Sequence, residues 1–523
     1  MPGFEPEAVY LGMHSHLYQP PREAANGSVR GEKQQVEAQY PELTREDERL
    51  VSWNDVEAKL SYNPNAQAGN FERISFNLAP TLAQYLQRHH SETYDQIVAA
   101  PDNVRAAGES PNVLGTPYFH AIMPLLPEHD QRTLLDWGRH DAERRFGVEP
   151  DGIWLPEMAM DERTLSIARQ HGYGWTYGFP HQLKGKVGAP TAYDVPVDGG
   201  SMKILRESSH DGSVWGHFYE GDLPAFYQQL EHNSVPETPY PQMTVKASDG
   251  EHIRREYDQN GHPLEGLVER LASAPGADNP SVRWVRPTDF MAEVQVNDVP
   301  LPQAELAGTT AGKGTFDDRM AQSRGLDRWT GEWNGEAVVP WKHNLQQAYS
   351  GFSEQMDAAF EQGMDSLGLD GKAWDMRNDY VRLLSGESSV EEFFAIWDSS
   401  GALDGEQRQQ ALKLLTSQYH KLAAATSCGW FFDKPSGLEP RIVARQMRIA
   451  LEHLRTSTID DLGESTEPPE SAAARADMIE DGLLEQLHSV ADERARLSQV
   501  YKHIGAASVR SLLVPAQHFD VIK

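Results

Sequence analysis

The chain has 523 residues, and 78 Asp and Glu against 47 Lys and Arg leave a formal net charge of −31. That balance excludes nucleic acid, anionic membrane surfaces and anionic polymers as partners, because each needs a basic face, and it favours a neutral substrate. The length exceeds one ordinary core and predicts a large domain plus at least one smaller one.

Hydrophobic content of 39 % and aromatic content of 9 % suffice for globular folding. Only 14 of the basic residues are Lys, and the acid is dispersed along the chain. This is the expected profile of a halophilic protein from a high-salt cytoplasm. Cys428 is the single cysteine, so no disulfide forms within the chain and a reducing compartment is expected. Met1 to Glu7 carries no basic region, and no apolar run approaches a membrane span. The expectation is a soluble cytoplasmic protein.

Val9 to Met13 predicts a first strand, ending in His14-Ser15-His16-Leu17-Tyr18-Gln19-Pro20-Pro21. Alternation puts His14 and His16 on one face, where paired imidazoles suit a metal or a polyol, or simply pack with their hydrogen bonds satisfied. Arg22 to Arg49 reads as a long polar loop. Ile74 to Leu78 predicts a second strand, and Pro80 opens a helix through Leu82, Tyr85 and Leu86. His120 follows a short apolar run after Val113 to Thr116. Leu134, Leu135, Trp137 and Phe146 mark a helix before Gly152-Ile153-Trp154-Leu155.

Pro156 stops that strand and Glu157 follows at once; Asp161 is placed to cap the next helix. A carboxylate at a strand-to-helix junction sits where α/β barrels keep their chemistry. Trp175 to Tyr177, Met202 to Leu205 and Val214 to Phe218 read as strands, and Leu223 to Leu230 as a helix. Met243 to Ser248 is a strand ending in Asp249-Gly250-Glu251, a second strand-end carboxylate with a glycine that permits a sharp turn. Leu264 to Leu271 reads as a helix and Val282 to Val285 as a last strand. Alternating strands and helices of this number predict a barrel.

Residues 297–340 form a loop region with Trp329 and Trp333, bordered by Trp341, which serves as lid, sugar platform or pin to the next domain. Beyond residue 341 the pattern is helical, with Leu412, Leu415, Tyr419 and Leu422 on one face and Val443, Met447, Ala450, Leu451 and Leu454 on another. Thr456 to Glu470 is a polar linker, followed by a helix over 476–504 and a short strand over 509–514. Cys428 reads as a packing thiol. The expected domains are a catalytic (β/α) barrel over 1–300, a Trp-containing loop and helical domain over 301–456, and an acidic linker, helix and tail over 457–523.

Several stretches together resemble glycoside hydrolase family 57. His14 to Pro21 resembles its first block, Tyr118-Phe119-His120 its second, Ile153-Trp154-Leu155-Pro156-Glu157 its third, Ser248-Asp249-Gly250-Glu251 its fourth, and Gly325-Leu326-Asp327-Arg328-Trp329 its fifth. Phe71 to Asn77 and Thr426 to Asp433 are similar to a subgroup with an appended C-terminal helical domain of unknown function. The resemblance implies an α/β fold: an incomplete (β/α)7-type TIM-like barrel followed by an α-helical domain.

It implies a retaining mechanism on α-glucan or oligosaccharide, of amylase, 4-α-glucanotransferase or branching type, with Glu157 as nucleophile and Asp249 as acid/base. His14, His16, His120, Trp154 and Trp329 would bind substrate, and no metal or cofactor is called for. Two rival readings remain: a metal-dependent hydrolase or deacetylase using His14, His16, His120 and Asp249 as ligands, and a non-catalytic glucan-binding protein on the same frame. Oligomeric state is open.

Overall fold

In the computed structural model the first strand, β1 (Val9–Leu17), is buried along its whole length, as befits a strand covered on both faces. The structure describes residues 4, 8–22, 32–185, 187–208, 215, 217, 222–235, 238–255, 268, 282–311, 325–333, 336–337, 339–432 and 437–457. In chain order there follow β2 (Ser75–Leu78), β3 (Gly152–Ile153), β4 (Trp175–Gly178), β5 (Leu183–Lys184), β6 (Ala192–Val197), β7 (Gly200–Arg206), β8 (Gln242–Asp249), β9 (Val282–Trp284) and β10 (Glu305–Leu306).

Six of these strands and residues 113–115 form one circuit. β1 pairs in parallel with β2, β8 and β9, while β4 pairs in parallel with β3 and β7. Residues 113–115 bridge the two sheets: Leu114 N donates to Phe76 O at 2.8 Å, Gly115 N to Gly152 O at 2.9 Å, and Trp154 N to Gly115 O at 2.8 Å. On the far side Ser208 N, just past β7, donates to Val245 O of β8 at 2.9 Å. The ring therefore runs through seven parallel segments, β1, β2, 113–115, β3, β4, β7 and β8. It is an incomplete TIM-like (β/α)7 barrel. β6 lies antiparallel on β7, and β5 pairs with β10.

Side chains from the strands and surrounding helices fill this unit. Leu11, Met13, Phe76 and Leu82 belong to one buried cluster, and Tyr10, Trp175, Met243 and Phe290 to another. Each fully buried aliphatic or aromatic side chain of this kind favours folding by about 1.5–3 kcal/mol over an exposed one.

The chain divides into two compact units: residues 1–19, 32–127 and 138–325, and residues 20–31, 128–137 and 326–523. The second unit is helical. Helix Pro340–Ser366 buries Leu345, Tyr349, Phe352, Met356, Ala359 and Gly363, at the three- and four-residue spacing of a core-facing stripe. Helix Gly405–Ala423 starts at Asp404, whose side chain accepts from Gln407 N in a capping box. Helix Leu438–Thr456 buries Ile442, Val443, Met447, Ala450 and Leu451. Gly429 approaches Val443 so closely that a Cβ there would stand 2.2 Å from the valine Cγ2.

Asp130 is the polar centre of this unit. It is fully buried, with Arg377 Nη1 at 2.7 Å and Lys421 Nζ at 2.8 Å, and both cations are themselves fully buried. Lys421 also meets Asp357 at 2.6 Å, and His129 meets Asp357 at 2.9 Å. Burial, the largest single influence, would raise the Asp357 carboxyl, but the charge of Lys421, the bond to His129 and the charge of Arg377 together outweigh it and hold the group well below the usual carboxylate range.

Several expectations need correction. The stretch Arg22 to Arg49 is not a plain loop, since Glu32–Gln39 and Pro41–Glu46 are helices. The first buries Glu32 and Val36, and Glu32 Oε1 accepts from Trp53 N at 2.9 Å, so a polar sequence is ordered by a tertiary bond. Residues 113–116 make isolated bridges rather than a strand. Trp215 and His217 are helical, not extended. β6 and helix Pro287–Val296 carry no strong signal of their own and are fixed by packing. Cys428 is only partly buried. The readings over 264–271 (Val268 apart), 476–504 and 509–514 lie outside the described residues.

Candidate active site

The C-terminal ends of the parallel segments converge on a set of imidazoles, aromatics and carboxylates. β1 puts His14 and His16 on one face, 0 % and 5 % exposed. β2 puts Ser75 and Asn77 opposite them by the same alternation. His14 Nδ1 meets Ser75 Oγ at 3.0 Å and His14 Nε2 meets Asn77 Oδ1 at 3.1 Å. His16 Nδ1 meets the same Asn77 oxygen at 3.1 Å, and His16 Nε2 faces His120 Nε2 at 2.9 Å.

With the Asn77 carbonyl facing both imidazoles, the tautomers follow. His14 donates through Nε2 and accepts from Ser75 through Nδ1. His16 donates through Nδ1 and accepts from His120 through Nε2. Burial drives all three rings neutral. It lowers His14 to about 3 against the help of Asn77, and it lowers His16 although the charge of Asp249 opposes it. His120 lies well below the ordinary imidazole value, through burial first and the neighbouring His16 second.

Aromatic rings lock this cluster. Trp154, just past β3, stacks on both His14 and His16. Tyr18 stacks on His120 with centroids 3.8 Å apart. Tyr177 of β4 leans on His14 at 4.8 Å and bonds Ser75 Oγ at 3.1 Å.

Glu157 sits in a short 3-10 turn after β3 with φ 56° and ψ 17°, and Met158 follows with φ 48°. Two consecutive non-glycine residues in the left-handed region are costly, about 1–2 kcal/mol each. The turn is held by Gln182, whose Nε2 donates to Met158 O at 2.8 Å, and by Met160 N donating to Thr310 O at 2.8 Å. Asp249 ends β8, in register with His16 of β1.

Gly250 then turns the chain where a Cβ would meet Leu17 Cδ2 at 2.2 Å. Glu251 accepts at Oε1 from Tyr62 Oη at 2.9 Å and from Gln19 Nε2. Burial, then the charge of Asp249, pushes its carboxyl up to about 8.

The structure therefore brings His14, His16, His120 and Trp154 into contact and ties Asp249 electrostatically to His16 and Glu251. Glu157 stands four residues beyond Ile153, the end of β3. Trp329 belongs to the second unit, where it is 2 % exposed and leaves no ring face for a ligand. Among the described residues, only His129, Asp130 and Asp357 bring three metal-capable ligand atoms within 4.8 Å of one another, and Arg377 and Lys421 already neutralise that group.

The model of glycosyl hydrolase family 57 matches residues 33–179, and the model of a domain of unknown function, DUF3536, matches residues 338–509. The fold is similar to that of an exo-type maltose-forming amylase from a Pyrococcus species, with TM-score 0.68 and 14 % identity over 94 % of this chain and 87 % of that one. A branching enzyme of Pyrococcus horikoshii is similar with TM-score 0.55 and 14 % identity, over 91 % of this chain and 95 % of that one. An α-amylase of Thermotoga maritima is similar with TM-score 0.53 and 10 % identity, over 93 % of this chain and 98 % of that one. Comparison with curated proteins yields no sequence match. Residues 33–179 thus match glycosyl hydrolase family 57 by sequence, on a fold like that of these enzymes.

Sequence reasoning missed several groups around this cluster. Ser75 and Asn77 orient both histidines, and their alternation along β2 was the available signal. Glu207, 1 % exposed, follows β7 and accepts from Ala247 N at 3.1 Å; a carboxylate directly after an apolar strand was again the signal. Tyr62 and Gln19 reach Glu251 from far along the chain, which no local pattern announces. Among the described residues no helix is long and apolar enough to cross a membrane.

Proposed function

We propose that this chain is a retaining glycoside hydrolase or glucanotransferase acting on an α-glucan, with Glu157 as nucleophile and Asp249 as general acid/base. The observation that carries the reading is the strand-end carboxylate Asp249 beside the neutral, hydrogen-bonded imidazoles of β1, with a second carboxylate, Glu157, in the turn after β3. Glu157 is held by a strained turn, and Asp249 is in register with His16.

Retention uses two carboxyls, one attacking the anomeric carbon and one protonating the leaving oxygen. Glu157 would form the glycosyl-enzyme. Asp249 would give its proton to the leaving oxygen and then take one from the incoming water or sugar hydroxyl. Neutral His14, His16 and His120 line the site without adding charge, and Trp154 walls it. The relatives named amylase and branching enzyme span hydrolysis and transfer, and the acceptor separates the two.

The metal-dependent reading is disfavoured by occupied nitrogens. Both ring nitrogens of His14 and of His16 are engaged by Ser75, Asn77 and His120. The test is product analysis on maltooligosaccharides and glycogen with wild type, Glu157→Gln and an EDTA-treated sample. Chain redistribution or hydrolysis that is lost in Glu157→Gln and indifferent to EDTA supports the two-carboxylate reading. Loss with EDTA and survival of Glu157→Gln overturns it.

The lone cysteine and the charge of −31 support a cytoplasmic, high-salt setting. A melting temperature that does not rise from dilute buffer to molar KCl would refute the high-salt part.

A further inference from the structure

The helical second unit carries a shallow, open cleft of about 390 Å³ that none of the proposed catalytic residues lines. Its size falls within the range of small-molecule sites, about 300–1,000 Å³. Trp397 and Ile396 supply the apolar wall, and Ile396 is 53 % exposed. The indole is held in place, since Trp397 Nε1 donates to Asp379 Oδ2 at 2.8 Å and its ring leans on Phe393.

Polar groups face this wall from the helices on either side. Asp375 is exposed, and Asp136 and Asn378 stand beside it. Asn378 Oδ1 is taken by Thr133 Oγ1 at 2.5 Å, which turns the amide nitrogen to the remaining partners. Arg382 bonds Glu387 at 3.0 Å and stands 3.8 Å from Asp379.

The chemistry of this lining selects its occupant. Three carboxylates against one guanidinium, itself already paired, exclude an anion. Carboxylates only accept, so the occupant must bring donors, whereas the amide nitrogen of Asn378, its oxygen taken by Thr133, only donates, so it must also accept. An ammonium group satisfies the first demand and fails the second. Hydroxyl groups satisfy both, and a pyranose adds a flat C–H face suited to a fixed indole.

We propose that this cleft is a binding site for a neutral carbohydrate, a chain end or internal segment of α-glucan, formed within the helical second unit. The identity of the sugar rests on the function proposed above; the binding does not rest on the catalytic residues. Trp397 is the platform, and Asp375, Asp379 and Asn378 read the hydroxyl ring. Such a site holds a polymeric substrate on the enzyme between turnovers and leaves short substrates unaffected.

The test is affinity electrophoresis of the full chain in gels containing glycogen or amylose, with turnover of a short maltooligosaccharide in parallel. The wild type and Glu157→Gln should be retarded equally. Trp397→Ala should lose at least about five-fold in apparent affinity for the polymer, with short-chain turnover unchanged. Asp375→Ala, at an exposed position, should weaken retardation in the same direction and guards against misfolding of the tryptophan variant.

Retardation equal to wild type in both variants overturns the proposal, as does absence of retardation of the wild type. Displacement of bound glycogen by millimolar spermidine also overturns it, because the cleft would then take cations. If no glucan is turned over yet both variants lose retardation, the catalytic reading fails and this site stands. If turnover is normal and the variants are retarded like wild type, this site fails and the catalytic reading stands.

Discussion

Trp154 lies nearly parallel to two imidazoles at once, its ring centroid 4.9 Å from His14 at 15° and 4.9 Å from His16 at 20°. One side chain from the end of β3 thus fixes two side chains of β1, while Asn77 of β2 fixes the same two rings from their edges. The imidazoles are orientated by stacking and hydrogen bonding together, and burial keeps them uncharged.

Removing the slab should therefore disturb both stability and turnover. Trp154 is 5 % exposed, and Trp154→Ala is expected to cost about 3–5 kcal/mol, as truncations of buried aromatics do. Trp154→Phe keeps a ring over the histidines and should lose less than half of that. Denaturant melts of the two variants give the stability difference, and glucan turnover at equal folded fraction tells whether stacking or bulk matters. Equal losses in the two variants would show that the stack itself contributes nothing.

Glu157 offers a separation of stability from function. Its φ of 56° is a backbone state that Asn adopts more readily than Glu. Glu157→Asn should fold at least as stably as wild type, by about 0–1 kcal/mol, since part of the left-handed penalty is relieved. Turnover should fall by several orders of magnitude, because the amide cannot form a glycosyl-enzyme. A Glu157→Asn protein that is both stable and active would remove Glu157 from the chemistry.

The pH dependence of stability carries two opposite signatures. The Glu251 carboxyl is raised from 4.5 to about 8, so the folded state keeps a proton that the unfolded chain gives up. That contribution is complete below pH 4.5 and is lost as pH rises through about 8. Glu251→Gln mimics the protonated form, with its carbonyl still able to accept from Tyr62 and Gln19. Its melting temperature should match wild type near pH 5 and exceed it increasingly towards pH 9. A constant offset across that range would show that Glu251 does not titrate this way.

His14 acts in the other direction. Its pKa falls from 6.5 to about 3, so its contribution is present above pH 6.5 and is lost as pH drops towards 3. The wild-type melting curve should decline on both sides.

The legible parts of the fold are those governed by local rules. Asp161 caps its helix by accepting from Thr164 N at 2.8 Å, as an N-cap carboxylate before an apolar run should. β1, β2, β4 and β8 announce themselves as apolar runs because parallel barrel strands are buried on both faces. The illegible parts depend on distant partners. Glu32–Gln39 is a polar helix held by a bond to Trp53 N, and residues 113–115 are a barrel wall made of bridges too short for a pattern. The histidine pair of β1 was readable, since its spacing is local. Asn77, Tyr62 and Glu207 were not singled out, because their roles exist only once strands far apart in sequence are side by side. Trp329 shows the converse: a tryptophan in a glycine-rich loop reads as a ligand platform, yet it is buried core.

The buried centre of the helical unit makes the sharpest stability prediction. Asp130 faces Arg377 at 2.7 Å and Lys421 at 2.8 Å, all three fully buried, and Lys421 is shared with Asp357. Asp130→Ala leaves two cations with one carboxylate between them, and loss of one partner in a buried ion network costs about 3–5 kcal/mol. Replacing Asp130 and Arg377 together, by Leu and Met, removes the charges in balance and should recover most of that loss. The same geometry predicts metal indifference. His129, Asp130 and Asp357 have the types and spacing of a metal site, but Arg377 and Lys421 already occupy the carboxylates. A divalent cation would have to displace two buried side-chain charges. Thermal melts with zinc, magnesium or EDTA should therefore coincide with the untreated protein. A melting temperature raised by a divalent ion in wild type and unaffected in Asp130→Ala would show instead that these carboxylates are metal ligands.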